Sequence, residues 1–75
     1  MLVAGHTTRL GDEDYLLELS TNRAREVANY LVSLDACEEA NIYVVGFGAS
    51  RLLMEGTSAQ ALAANRRVEI IILGY

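Results

Sequence analysis

Residues 12–34 decide the fold, and they read DEDYLLELSTNRAREVANYLVSL. Apolar side chains recur there every three or four residues, which is the spacing of one face of an α-helix. They are Leu16, Leu19, Val27, Leu31 and Leu34, with Leu17, Ala24 and Ala28 widening the face. Asp12 stands at an N-cap position, and the two acids behind it suit the positive end of a helix dipole. The pattern predicts one long helix over about residues 13–34.

Two short apolar segments flank this helix and predict buried strands. Residues 2–4 form a run that stops at Gly5, and residues 42–45 form a second run that stops at Gly46. A strand, a crossover that carries a helix, and another strand form a βαβ unit, which is parallel and right-handed in nearly every known case. The sequence therefore predicts an α/β fold.

The last third of the chain predicts a short helix and a third strand. Residues 57–60 have the pattern of a capping box ahead of the apolar residues 61–64, and Asn65 is a natural helix end. Residues 68–73 alternate between two faces, as a strand does. We expect residues 1–75 to form a single two-layer α/β domain with three strands, one long helix and one short helix.

The composition excludes several classes of function. Ten acidic residues against six basic ones give the 75-residue chain a net charge of -4, so we expect no nucleic-acid partner. The single cysteine, Cys37, has neither a disulfide partner nor the spacing of a zinc site. His6 is the only histidine, and every nucleophile or metal site would depend on it. We expect no catalytic residue, no metal, no cofactor and no enzymatic activity.

Arg23 is the most informative position, because it interrupts the apolar face of the long helix. One interpretation is a stem that covers the core while the guanidinium reaches water. The other is a guanidinium held at the edge of a cleft, where it binds a carboxylate. Arg66 and Arg67 leave a similar choice between a solvated charge pair that protects a strand edge and a site for an anion.

Four blocks of sequence resemble the C-terminal domain of the OmpA/MotB family, in the family's order. The blocks are Gly5-His6-Thr7, then Leu19-Ser20 with Arg23-Ala24 and Val27, then Gly46-Phe47-Gly48, then Asn65-Arg66-Arg67-Val68-Glu69-Ile70. The resemblance implies a domain that binds peptidoglycan non-covalently through the diaminopimelate of the stem peptide. It implies a place on the periplasmic side of the bacterial envelope, where such domains anchor envelope proteins to the cell wall. It also implies a strand and a helix ahead of the part of the domain that this sequence matches.

The resemblance also indicates which residues hold the ligand. In the family motifs GHTD and LSxxRA, an aspartate and an arginine hold the charged ends of diaminopimelate. Arg23 matches the arginine, whereas Thr8 replaces the aspartate and Leu16 replaces a motif asparagine. The expected ligand-binding residues are Arg23, Thr8, Thr7, Leu19, Ala24 and Arg66. We expect the replacements at Thr8 and Leu16 to weaken binding.

Two further expectations concern partners. A sheet without the family's first strand and helix exposes one edge and one face, which predicts a second copy or a partner domain that covers them. The alternative function is an OmpA-like scaffold that mediates contacts between proteins and no longer binds the wall.

Overall fold

Strand β1 (Leu2–Gly5) lies at the centre of a three-stranded sheet, between β2 (Tyr43–Gly46) and β3 (Val68–Ile71). Strand β2 runs parallel to β1, and β3 runs antiparallel to it. The computed structural model describes residues 1–35, 38–56 and 58–72. The parallel βαβ unit is therefore confirmed, and the third strand joins the opposite side of β1.

Helix α1 (Glu13–Ser33) connects β1 to β2, and the predicted bounds are one residue too long at its C-terminal end. A short 3₁₀ helix (Glu39–Asn41) precedes β2, and helix α2 (Ala59–Asn65) precedes β3. In the described part of the chain, neither helix is long and apolar enough to cross a membrane.

The N-terminal caps differ from the prediction in detail. Ser58 caps α2, and its hydroxyl accepts a hydrogen bond from the Ala61 N–H at 3.1 Å. The predicted capping box began one residue earlier, at Thr57, which lies outside the described residues. Asp12 occupies the N-cap position of α1 as predicted, but its side chain makes no capping hydrogen bond.

The buried face of α1 agrees with the predicted face at Leu16, Ala24 and Ala28 and differs from it at Leu17, Ser20 and Leu34. Its buried residues are Leu16, Ser20, Ala24 and Ala28. Leu34 was expected on the apolar face, but it is 57% exposed, and Leu17 is exposed as well. Small side chains occupy the centre of the face.

Close approach of the sheet backbone explains this choice of small residues. A Cβ atom at Gly5 would overlap the carbonyl oxygen of Ser20 on α1. A Cβ atom at Gly46 would overlap the side chain of Thr21. Because β1 and β2 press their glycines against the helix, only short side chains fit between the two layers.

The core lies between α1 and the sheet. Val3, Ala24 and Ala28 form its centre, and partly buried apolar residues surround them: Met1, Val27, Leu31, Ile42, Val44 and Val68. Apolar surface stays open at the β3 end of the sheet, where Ile70 and Ile71 are exposed and Ile72 is 79% exposed. The sheet is thus covered on one face and exposes apolar surface near its β3 edge.

Candidate functional site

The three residues that follow β1 are buried and fixed to both neighbouring strands. The backbone N–H of His6 donates to the Arg67 carbonyl, and that of Thr7 donates to the Gly48 carbonyl, each at 2.8 Å. The Thr8 side chain is also buried. This segment is therefore a rigid part of the scaffold, at the carboxyl ends of β1 and β2.

Arg23 projects from α1 and is partly buried. Across residues 1–35, 38–56 and 58–72, its side chain makes no hydrogen bond and no salt bridge. Partial burial of the residue is compatible with the first interpretation. A guanidinium without an internal carboxylate is what the second interpretation requires.

The other predicted ligand residues have unequal access to solvent. Leu19 is partly buried and Arg66 is exposed, so both offer surface to a ligand. Ala24 has no exposed surface and belongs to the core, and Thr7 is almost as deeply buried. In this conformation Ala24 and Thr7 offer little surface to a ligand, and a direct contact with a ligand stays a prediction.

A cavity of about 490 Å³ opens beside the first half of α1. Leu16, Leu17 and Phe47 give it an apolar lining, and Arg9 and Glu13 contribute opposite charges. Residues 46–50 complete the lining. None of the six predicted ligand residues lines this cavity, so the structure does not bring Arg23 and Thr8 together in it.

An ionic cluster around the buried His6 lies next to this cavity, and the sequence patterns did not predict it. The Nε2 atom of His6 lies 2.8 Å from Oε1 of Glu69, and the guanidinium of Arg67 lies 2.9 Å from the same oxygen. The His6 contact lacks the alignment of a hydrogen bond, and neither ring nitrogen has a hydrogen-bond partner among the described residues. The His6 ring stacks on Phe47, with centroids 5.3 Å apart.

Burial is the main influence on the titration of His6. It lowers the pKa of the imidazole, and the positive charges of Arg67 and Arg51 lower it further. Glu69 opposes them through its charge and contact, but the net direction is downward. At neutral pH His6 is therefore an uncharged ring between cationic neighbours.

Asn65 is a second residue whose role the sequence did not reveal. It is 1% exposed, and its side-chain Oδ1 accepts hydrogen bonds from the N–H groups of Leu53 (2.8 Å) and Met54 (3.2 Å). Its Nδ2 donates to the Met54 carbonyl at 2.8 Å. Asn65 ends α2 as predicted, and it also fixes the loop in front of that helix.

Comparison with known proteins identifies the family. The model of the OmpA family matches residues 1–66 of this chain. The chain belongs to the OmpA family. Because the match includes β1, α1, β2 and α2, the buried segment after β1 and the Arg23 side of α1 are parts of an OmpA-family domain.

Several relatives are envelope proteins. Outer membrane porin F of Pseudomonas aeruginosa is 39% identical over 67 residues, which are 89% of this chain and 19% of the porin. The peptidoglycan-associated lipoprotein of the same species is 36% identical over 70 residues, which are 93% of this chain and 41% of the lipoprotein. The peptidoglycan-binding protein ArfA of Mycobacterium bovis is 34% identical and matches 93% of this chain and 21% of ArfA.

A solved structure supports the same assignment. The crystal structure of the peptidoglycan-associated lipoprotein from Burkholderia pseudomallei matches with a TM-score of 0.83 and 31% sequence identity. The match covers 91% of this OmpA-family chain and 57% of the lipoprotein chain. It confirms the α/β fold, and this chain spans less than two thirds of the relatives that it matches.

Proposed function

We propose that this chain is a peptidoglycan-associating domain on the periplasmic side of a bacterial envelope. The observation that carries the proposal is the match of nearly the whole chain to relatives whose names state peptidoglycan association or binding. Outer-membrane relatives support the same compartment. The role is one of non-covalent binding, without catalysis, and it anchors an envelope protein to the cell wall.

The proposed ligand is the diaminopimelate of the stem peptide, and Arg23 is its main contact. A planar guanidinium binds a carboxylate through two parallel hydrogen bonds, and Arg23 has none of its donors engaged within the described ranges. Partial burial of the stem limits the rotamers that the side chain loses on binding. Arg66 and Leu19 are the other predicted ligand residues with accessible surface.

We propose that this binding is weaker than in a domain that carries the complete motif. Thr8 has no charge to pair with the ammonium group of diaminopimelate, and its buried hydroxyl accepts a 3.4 Å hydrogen bond from the Leu10 N–H. Leu16 is buried and offers no polar atom. Losing one charged partner in an interface costs about 2–5 kcal/mol, which corresponds to a loss of about thirtyfold to several-thousandfold in affinity.

The alternative is an OmpA-like scaffold that mediates contacts between proteins without wall binding. The apolar surface of Ile70, Ile71 and Ile72 favours it, because a second copy or a partner domain would remove that surface from water. Light scattering after size-exclusion chromatography distinguishes a monomer from a self-associated form. A folded monomer at every concentration excludes self-association.

Co-sedimentation with purified peptidoglycan sacculi tests the proposed function. We expect the native chain to sediment with sacculi and Arg23→Ala to lose at least tenfold in apparent affinity. Arg25→Ala is the matched control, because Arg25 is an exposed arginine of the same helix and its loss should leave binding unchanged. A native chain that stays in the supernatant contradicts wall binding and favours the scaffold. Equal losses in both variants contradict a specific role for Arg23.

A further inference from the structure

The loop that follows β2 is held by contacts that converge on His6. Phe47 stacks on the imidazole, and the guanidinium carbon of Arg51 lies 4.2 Å from the centre of the Phe47 ring. The Arg51 carbonyl accepts a 3.0 Å hydrogen bond from the guanidinium of Arg67. Arg67 also donates to Glu69, which contacts His6. Residues 47–51 are thus anchored by a chain of contacts that ends at a titratable ring.

Among the described residues, the charged groups that influence this ring lie in three segments. Arg67 lies in the connection before β3, Glu69 lies on β3, and Arg51 lies in the loop after β2. On helix α1, the backbone of Ser20 and the Cβ atom of Ala24 approach Gly5, which precedes His6, and neither side chain carries a charge. Two cations and one carboxylate therefore surround an imidazole whose side chain is only 3% exposed.

A proton on His6 would disturb this balance. The imidazolium would be a third positive group beside two arginines, and Glu69 is the single nearby carboxylate that could compensate for it. Glu69 already binds Arg67, so the two cations would compete for the same Oε1 atom. This competition weakens the contact between Arg67 and Glu69, and the same Arg67 guanidinium donates to the Arg51 carbonyl.

We propose that this cluster is an acid-released latch: uncharged His6 holds residues 47–51 against the sheet, and a proton on His6 releases them. Phe47 and Ser50 line the 490 Å³ cavity, so release changes one wall of that cavity. The latch does not depend on the proposed peptidoglycan binding, and its tests need no ligand.

Amide hydrogen exchange measures the opening of the latch. The reporters are the Thr7 N–H, bonded to the Gly48 carbonyl, and the Gly48 N–H, bonded to Ser20 Oγ at 2.9 Å. The Tyr43 N–H, bonded to the Met1 carbonyl at the far end of the same strands, is the internal control. Between pH 7.5 and pH 5.0 we expect the protection factors of the reporters to fall at least fivefold relative to Tyr43. Equal changes at all three amides overturn the proposal.

Variants at exposed positions link the opening to His6. Arg51→Gln removes a repelling cation and should raise the pKa of His6, whereas Glu69→Gln removes the attracting carboxylate and should lower it. Because His6 is the only histidine, its ring signals in an NMR titration are unambiguous. His6→Gln should abolish the pH dependence of the reporter amides. Unchanged titration in both exposed variants, or persistent pH dependence in His6→Gln, contradicts the latch.

Discussion

Replacing Asn65 with alanine should remove the connection between α2 and the loop that precedes it. The side chain is buried and makes three hydrogen bonds, all of them to backbone groups of Leu53 and Met54. Alanine leaves these groups without a protein partner, although part of that loop lies close enough to the surface to gain water. The loop and the last strand then lose their common attachment.

The expected magnitude follows from the count of bonds. Each hydrogen bond of this kind contributes a net of about 0.5–1.5 kcal/mol, so the loss of three gives about 1.5–4.5 kcal/mol. A domain of this size has a total stability at the low end of about 5–15 kcal/mol. Asn65→Ala should therefore remove a large share of the free energy of unfolding. Asn65→Asp should also destabilise the fold, since it keeps the acceptor for the two N–H groups but places a second carboxylate oxygen against the Met54 carbonyl in a buried position.

Urea unfolding followed by circular dichroism measures this free energy. Asn22→Ala is the control, because Asn22 is exposed on α1 and its replacement should change stability by less than about 0.5 kcal/mol. If Asn65→Ala is as stable as Asn22→Ala, the three bonds carry no net stability and the assignment of Asn65 as the anchor of this loop is wrong.

Three further predictions concern packing, affinity and pH. Gly5→Ala should destabilise the fold by at least about 2 kcal/mol in the same unfolding assay, because the added Cβ atom would overlap the Ser20 carbonyl. An unchanged urea midpoint would contradict the close approach of β1 and α1. Thr8→Asp should tighten the binding of a diaminopimelate peptide at least about tenfold in calorimetry, since it restores a negative charge for the ammonium group. Equal or weaker binding would argue against a site at Thr8. Burial lowers the pKa of His6 in the folded state, so the contribution of His6 to stability is complete above about pH 6.5 and is lost as the pH falls below that value. The urea midpoint of the native chain should therefore drop relative to that of His6→Gln between pH 7 and pH 5. Parallel curves of midpoint against pH would refute this.

Local sequence patterns predicted the elements of the fold well. The apolar spacing of α1 and the glycine-terminated strand segments were sufficient to place a βαβ unit, and the family motifs gave the family. They placed Ala24 and Ala28 on the buried face of α1 correctly, but they did not predict Ser20, because hydropathy follows large side chains such as Leu34 and takes no account of the glycine backbones that approach the helix. The sequence of one helix alone does not predict how closely the sheet packs against it.

The ligand-binding residues stay a prediction from the family motifs, and the arrangement around them depends on the fold. Arg23 was singled out because a charge interrupts an apolar face, and its side chain is indeed partly exposed. The His6 cluster was missed, since it joins residues more than 60 positions apart that meet only through the pairing of β1 with β3. Of the two neighbouring arginines, Arg67 points into this cluster and Arg66 stays exposed, a distinction that depends on the sheet.

Chemical-shift mapping with a diaminopimelate-containing tripeptide tests the central proposal most directly. On the isotope-labelled chain, we expect saturable shifts at the Arg23 side-chain Nε–H and at the backbone amides around Thr8, with the Arg25 side chain unaffected. Shifts confined to the cavity beside Leu17 and Phe47, or no shifts at millimolar peptide, would contradict a carboxylate site at Arg23.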